Sequence, residues 1–307
     1  MSQEVLDSLT GATRKNIFVE TWAFIRRWPV IPGAILIILV LSVVFAPVLS
    51  PQGPLENNLR ERLLPPIGFE GAQWSHPLGT DPIGRDLLSR VLYGGRISIM
   101  VAVVAMFTGT VVGVTLGLIA GYFGKVVDEI IMRIVDIWFA LPFLMVALLI
   151  AVMLRGDSNS SVAGTGAPTL MLLLALIVWS SYVRYVRAEV LSLKERDYIQ
   201  LAKVAGASTF RILFFHILPG VTNTTLVIAT LRAGQLILAE ASLSFLGVGV
   251  PPPEPTWGSM ISDGREYLRD AWWVSVMPGI AIFLLVMSLN FVGDWMRDRF
   301  DPRLRQI

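Results

Sequence analysis

Few side chains in this 307-residue chain could do covalent chemistry. Cysteine is absent and histidine occurs only at His76 and His216, so no thiolate centre can form and an ordinary zinc or iron site lacks ligands. No His-Asp-Ser or Cys-His set can be assembled from this inventory. No G-x-x-x-x-G-K-[ST] occurs, and "GYFGK" lacks both the spacing and the hydroxyl, so there is no phosphate loop. The expectation is a non-catalytic chain that binds no cofactor or metal itself. Polar chemistry of a different kind is present. Arg232, Gln235 and Glu240 interrupt the apolar stretch Val221–Gly249. Ionisable groups at membrane depth are costly and persist where they line an aqueous path or meet buried partners. Eight helical residues carry Arg232 and Glu240 to roughly one side, about 12 Å apart along the axis, too far for a direct ion pair. Both the pathway and the buried-partner readings fit that spacing.

A second polar feature is the charged run "KERDYIQLAKVAGASTFRILFFHILPG", Lys194–Gly220, set between two apolar stretches. Tyr198, Leu201, Ala202 and Ala205 recur at helical spacing, while Arg196, Asp197, Gln200 and Lys203 point elsewhere. Gly206 ends the first helix, as a C-terminal glycine does. After Ala207, Ser208 or Thr209 caps a second helix beginning near Phe210, and Pro219 closes the motif. The result is a helix-turn-helix knob at the membrane surface or an amphipathic hairpin lying on it.

The elements that must hold these groups follow from hydropathy. Hydrophobic residues make up 54% of the chain and charged residues 16%, against about 25% charged in soluble proteins. The fold class is all-α, a polytopic membrane protein. Net charge is +2, too balanced to argue for nucleic acid. Val30–Leu55, Ile97–Gly124, Ile137–Leu154, Ala167–Val183 and Ala271–Gly293 are free of charge and of spanning length, and Val221–Gly249 is a sixth candidate. With six spans and both termini cytoplasmic, sixteen Lys and Arg fall inside and eight outside, as the positive-inside rule requires. Arg26 and Arg27 precede an apolar run longer than a signal h-region, with no small-residue cleavage site, so the first span is retained. The expected organisation is a cytoplasmic segment 1–29, a first span 30–50 and an extracytoplasmic segment 51–96 with an interfacial helix. A five-span core 97–293 follows, including the cytoplasmic loop 188–216, and then a cytoplasmic tail 294–307.

Other features refine this plan. Gly109, Gly113, Gly117 and Gly121 form a stripe of small residues that lets helices approach closely, within the chain or against a second membrane subunit. Glu129, Arg133 and Asp136 can share one helix face, as a headgroup anchor or a docking surface. Pro142 permits a kink in the third span. "RGDSNSSVAGTGAP" is an outside turn, Asp263–Asp270 a short outside helix, and Trp257, Trp272 and Trp273 suit an interfacial belt.

At the charged loop the chain resembles ABC importer permeases, whose coupling motif runs E-A-A-x3-G-x9-I-x-L-P. Gln200-Leu201-Ala202, Gly206 and Leu218-Pro219 hold its spacing, with Gln200 in place of the acid, Leu201 of the first alanine and His216 of the isoleucine. "HPLGTDPIGRDLLSRVLYGGRIS" (His76–Ser98) and "EASLSFLGVGVPPPEPTWG" (Glu240–Gly258) are similar to the dipeptide/oligopeptide/nickel family, in its OppC/DppC-like branch, with one N-terminal span before a five-span core. Arg232 departs from the small or apolar residue expected there. The resemblance implies a permease subunit of an ATP-driven importer in a prokaryotic inner membrane, carrying dipeptides or oligopeptides, or else nickel or glutathione-like ligands. It implies a homologous second permease, two ATPase subunits holding ATP and Mg, and an extracytoplasmic solute-binding protein. An ion-coupled secondary transporter predicts inverted repeats and broken helices in both halves; no convincing repeat occurs.

Overall fold

A computed structural model describes residues 29–154 and 166–300. Most of segment 1–29, most of the turn at 155–168 and residues 301–307 lie outside the described residues. Among the described residues the architecture is all-α, and the only extended pairing is an isolated bridge between Thr80 and Asp86. The helices are α1 (Val30–Val44), followed after Phe45 by a single helical turn Ala46–Leu49, then α2 (Leu87–Phe123), α3 (Lys125–Ala140), α4 (Phe143–Leu154), α5 (Ala167–Leu193), α6 (Asp197–Val204), α7 (Thr209–Ile212), α8 (Leu218–Phe245), α9 (Trp257–Gly264) and α10 (Trp273–Phe300).

Each of the six expected apolar stretches is largely helical, although residues 50–55 and 246–249 lie beyond the helix ends. Four helices are long and apolar enough to cross a membrane: α2, α5, the continuous run Thr209–Phe245 and α10. The third stretch is not one kinked helix. The residue before a proline is driven out of helical geometry, and Leu141 is extended (φ −88°, ψ 132°), so α3 and α4 meet at 91°. Helix α1 has 15 residues, a rise of about 22 Å, shorter than the expected first span. At the other extreme α2 has 37 residues and starts at Leu87, ten before the expected span. The helix anticipated within 51–96 is therefore the beginning of α2, preceded by a single 3₁₀ turn, Leu59–Glu61.

Helices α2 and α5 lie against one another along most of their length, α8 crosses both, α10 packs on α8, and α1 covers α10 and α2. The central core includes Val101, Ala105, Leu174, Val178, Leu236, Leu243 and Trp257. A smaller cluster (Leu118, Val186, Val190, Ile199, Ile212, Ile217) seats the connecting loop at one end, and another (Leu87, Met260, Trp273, Val274) closes the opposite end. In lipid such burial contributes through packing rather than through the exclusion of water.

Candidate functional site

The loop between α5 and α8 is built from local hydrogen bonding. Arg196 is extended and starts α6, with Asp197 in the first turn and Lys203 in the last, both favourable to the helix dipole. Gly206 adopts φ +77°. Its N–H bonds Lys203 O, and the Ala207 N–H reaches back to Ala202 O, each at 3.0 Å, which completes a Schellman stop. The Ser208 hydroxyl accepts from the Arg211 N–H at 3.4 Å and caps α7. The second half departs from expectation. No separate helix ends at Pro219; α7 passes through a π-helical turn, Leu213–Ile217, into α8, so the loop's second arm is the start of a spanning helix. Pro219 has no N–H to give the ladder, and its place just after the wider π turn and at the start of α8 accommodates that loss.

The loop's faces also differ from the sequence pattern. Ile199, Ile212 and Ile217 are the buried anchors, with Ala202 and Ala207 packed beside them. Tyr198 and Leu201 turn outward, and Leu201 is 67% exposed, Val204 87% and Phe215 71%. The Phe210 and Phe214 rings, also exposed, stack at 4.3 Å. Gln200 folds back and donates to Lys194 O at 2.8 Å, while the Lys203 ammonium lies 6.0 Å over the Tyr122 ring. Arg196 and Asp197 are exposed. The surface that the loop presents is therefore apolar and aromatic with a charged rim.

Beside it, α3 is pinned to α5 by charge. Asp128 takes the Arg187 guanidinium through two bonds, and Asp136 accepts from Arg184 at 2.7 Å. Arg184 also lies 4.2 Å over the Phe139 ring. Only Glu129 and Arg133 pair along α3, at 3.5 Å and fully in the open. Sequence spacing exposed that local pair and missed the two cross-helix ones, because i,i+4 reasoning cannot see partners 48 and 59 residues away.

The glycine stripe faces α5 throughout. A methyl group built on Gly109, Gly117 or Gly121 would come within 2.9, 2.8 and 2.7 Å of the Cβ of Val178, Val186 and Val190, and on Gly113 within 2.6 Å of the Tyr182 Cβ. The four opposing residues are themselves four apart, so a ridge of α5 lies in a groove of α2.

The three polar residues of α8 are not brought together. Arg232 and Gln235 bond each other at 2.5 Å on the open side. Glu240 is 0% exposed, accepts from the Ser244 hydroxyl at 2.7 Å, and has its second oxygen unpartnered among the described residues. Glu240 thus sits in the protein interior, not on a lining surface of this chain.

The opposite end of the bundle holds a polar network that sequence reasoning left unread. Asp86 caps α2 through the Ser89 N–H at 2.8 Å and meets the buried His76 Nδ1 at 3.0 Å. Thr80 accepts from Leu64 N–H at 2.8 Å and its hydroxyl donates to Glu61 O. Asp81 receives Arg85 at 2.6 Å and Arg90 at 2.5 Å, and Arg90 lies 3.7 Å from Asp263 of α9. Two of the three tryptophans expected in an interfacial belt turn inward instead, while Trp272 stays half-buried, edge-on to Phe69 and Trp273. Trp257 donates to Val91 O at 2.8 Å and Trp273 to Thr80 O at 3.2 Å, both buried. The short helix expected at Asp263–Asp270 lies earlier, as α9, where Thr256 and Ser259 form a reciprocal capping box. The signal for the network was present as D-x-x-x-R and D-x-x-S spacings within His76–Ser98.

Fold and loop define a multi-pass α-helical membrane component with a structured, apolar-faced loop. The chain belongs to the family described as the binding-protein-dependent transport system inner membrane component, matched over residues 113–306, and to its OppC/DppC-like branch, with residues 26–66 matching the N-terminal TM domain of oligopeptide transport permease C. It is 38% identical over 295 residues to the dipeptide transport system permease protein DppC of Haemophilus influenzae, covering 95% of this chain and 97% of that protein. It is 42% identical over 289 residues to the protein of the same name from Escherichia coli K12, covering 94% and 93% respectively. The glutathione transport system permease protein GsiD of Pectobacterium atrosepticum is 36% identical, covering 93% and 91%. Among solved structures, a chain of the inward-facing MetNI methionine ABC transporter shares the fold, with a TM-score of 0.54 at 19% identity, over 68% of this chain and 95% of that one. The chain is accordingly an ABC importer permease, a multi-pass protein of the inner membrane.

Proposed function

We propose that this permease carries dipeptides or short oligopeptides inward, forming half of a translocation pathway with a homologous second permease. Two ATPase subunits that hold ATP and Mg drive it, and an extracytoplasmic solute-binding protein delivers cargo; the chain itself binds no nucleotide. Both termini and the loop 188–216 face the cytoplasm. The observation that carries this reading is the loop. Its isoleucines anchor it to α2 and α5 while Leu201, Val204, Phe210 and Phe215 are left uncovered, a surface matched to a groove on an ATPase. The names of the relatives support a peptide cargo.

Gly206→Val tests the coupling role. A methyl group there meets nothing within 4 Å, so the cost is backbone strain alone, about 1–2 kcal/mol, confined to the turn. Purified complex carrying this change keeps ATP hydrolysis but loses uptake into vesicles; normal coupled uptake refutes the assignment. A glutathione-type cargo is the second reading, favoured by the GsiD relative. Uptake of labelled dipeptide against labelled glutathione by the same complex decides between them.

A further inference from the structure

At the end of the bundle opposite the loop, a cleft of about 540 Å³ opens between the first turns of α2, the Pro-rich run before α9 and the 3₁₀ turn Arg265–Tyr267. Its size lies within the roughly 300–1,000 Å³ usual for small-ligand sites. It holds charges of both signs: Arg85, Arg90 and Arg265 against Glu254, Asp263 and Glu266. Two features mark these charges as unspent. Asp81 serves two guanidiniums at once, and Asp263, the other carboxylate near Arg90, is 3.7 Å away and half exposed. Arg90 is only 3% exposed, and its Nε has no hydrogen-bond partner among the described residues. Arg265, Glu254 and Glu266 line the same cleft and are exposed, so their charges are open to a ligand.

We propose that this cleft is a subsite for a short peptide with free ends, its carboxylate held by the arginines and its ammonium by Glu254 and Glu266. The proposal rests on the peptide reading above and on this end facing outward. A molecule with opposite charges at its two ends satisfies both sets of groups together, which neither a simple anion nor a simple cation does. Pro82, Pro252 and Pro253 add a rigid apolar lining to the same cleft. The subsite would receive a peptide released at the outer face before it enters the membrane.

The test is photo-crosslinking of a diazirine-bearing tripeptide to the whole purified complex, with and without its solute-binding protein, with the attachment points mapped by mass spectrometry. Labelling is expected on residues 250–267 in both arms, competed by the unmodified tripeptide and not by its N-acetylated, C-amidated form. E254Q/E266Q and R265Q should each weaken the labelling about tenfold, the scale of one charge-assisted hydrogen bond. Labelling that the blocked competitor abolishes, or that survives these substitutions, overturns the subsite. So does labelling unchanged in variants that instead need more binding protein for uptake, which makes the cleft a protein contact. Uptake of the peptide by the native complex is measured alongside. Uptake without cleft labelling overturns the subsite alone; no uptake overturns the peptide reading and the subsite with it.

Discussion

Adding one methyl group at Gly113 should damage this fold more than the same change almost anywhere else on the spanning helices. The new Cβ would lie 2.6 Å from the Tyr182 Cβ, where ordinary contacts begin at 3.4 Å, and closer still to the Trp179 carbonyl. Neither atom can swing aside, since one is backbone and the other is fixed to it. Helices α2 and α5 would have to part by about 0.8 Å, loosening the packing that replaces the hydrophobic effect between helices in lipid. Overpacking of this kind costs about 1–3 kcal/mol, and 2 kcal/mol lowers the folded-to-unfolded ratio about thirtyfold. Gly279→Ala on α10 is the control, because a methyl there meets nothing within 4 Å. SDS titration in mixed micelles, read by tryptophan fluorescence, should give a lower midpoint for Gly113→Ala and an unchanged one for Gly279→Ala. Gly109→Ala, with its closest approach at 2.9 Å, should fall between them. Equal midpoints for Gly113→Ala and Gly279→Ala would refute the argument that the stripe sets the distance between α2 and α5.

Three further expectations follow from the polar contacts. Asp86→Ala removes the α2 cap and strands His76, and a loss of about 1–2 kcal/mol from the cap alone should appear as a lowered melting temperature and as cleavage by added protease between residues 59 and 86. A double-mutant cycle on Asp128 and Arg187, a pair under one-third exposed, should return a coupling of about 1 kcal/mol, at the top of the range for exposed pairs; zero coupling would show that α3 is held by apolar contact alone. Glu240→Gln keeps an acceptor for Ser244 and should leave stability nearly unchanged, whereas Glu240→Ala opens a cavity and orphans that hydroxyl at a cost of about 2–4 kcal/mol. Equal melting temperatures for those two variants would contradict the interior placement.

Local features of the chain were legible in its sequence. The number and order of apolar segments, the glycine stop at Gly206 and the cap at Ser208 all depend on neighbours within a few residues, which hydropathy and cap chemistry can read. What escaped depends on pairing at a distance. Asp128 met Arg187 and Asp81 met Arg90 because helices that are remote in sequence pack together. Trp257 and Trp273 left the interface for the interior because carbonyls of Val91 and Thr80 awaited a donor. Glu240 and Arg232, one-sided by helical rotation, separated because Gln235 offered Arg232 a nearer partner on the open side. The 91° break at Pro142 escaped for another reason: a proline says that the ladder is cut, and only packing on α5 decides how far the chain turns.

These contacts distribute stiffness unevenly, and that distribution bears on how force could cross the molecule. Helix α2 runs unbroken from the Arg90 network at one end to Gly124 beside the loop, 37 residues or about 55 Å. The glycine groove locks it to α5, whose last residues carry the loop's isoleucine anchors, so loop, α2 and α5 should move as one body. The compliant points lie elsewhere, at the Leu141-Pro142 break and at the π turn Leu213–Ile217 where α7 enters α8. If an ATPase pulls on the exposed face of the loop, the rigid pair carries that displacement to the cleft around Arg90, while α8 and α10 can lag behind. The contact under strain is then Arg90–Asp263, already the longest in its network at 3.7 Å and the only ion pair among the described residues that joins α2 to α9. A cysteine pair placed across α2 and α9 beside that contact should therefore cross-link in one nucleotide state and not the other. Cross-linking at equal rates in both states would mean that this end of the bundle moves as a unit with the loop, and that opening occurs between the two permeases instead.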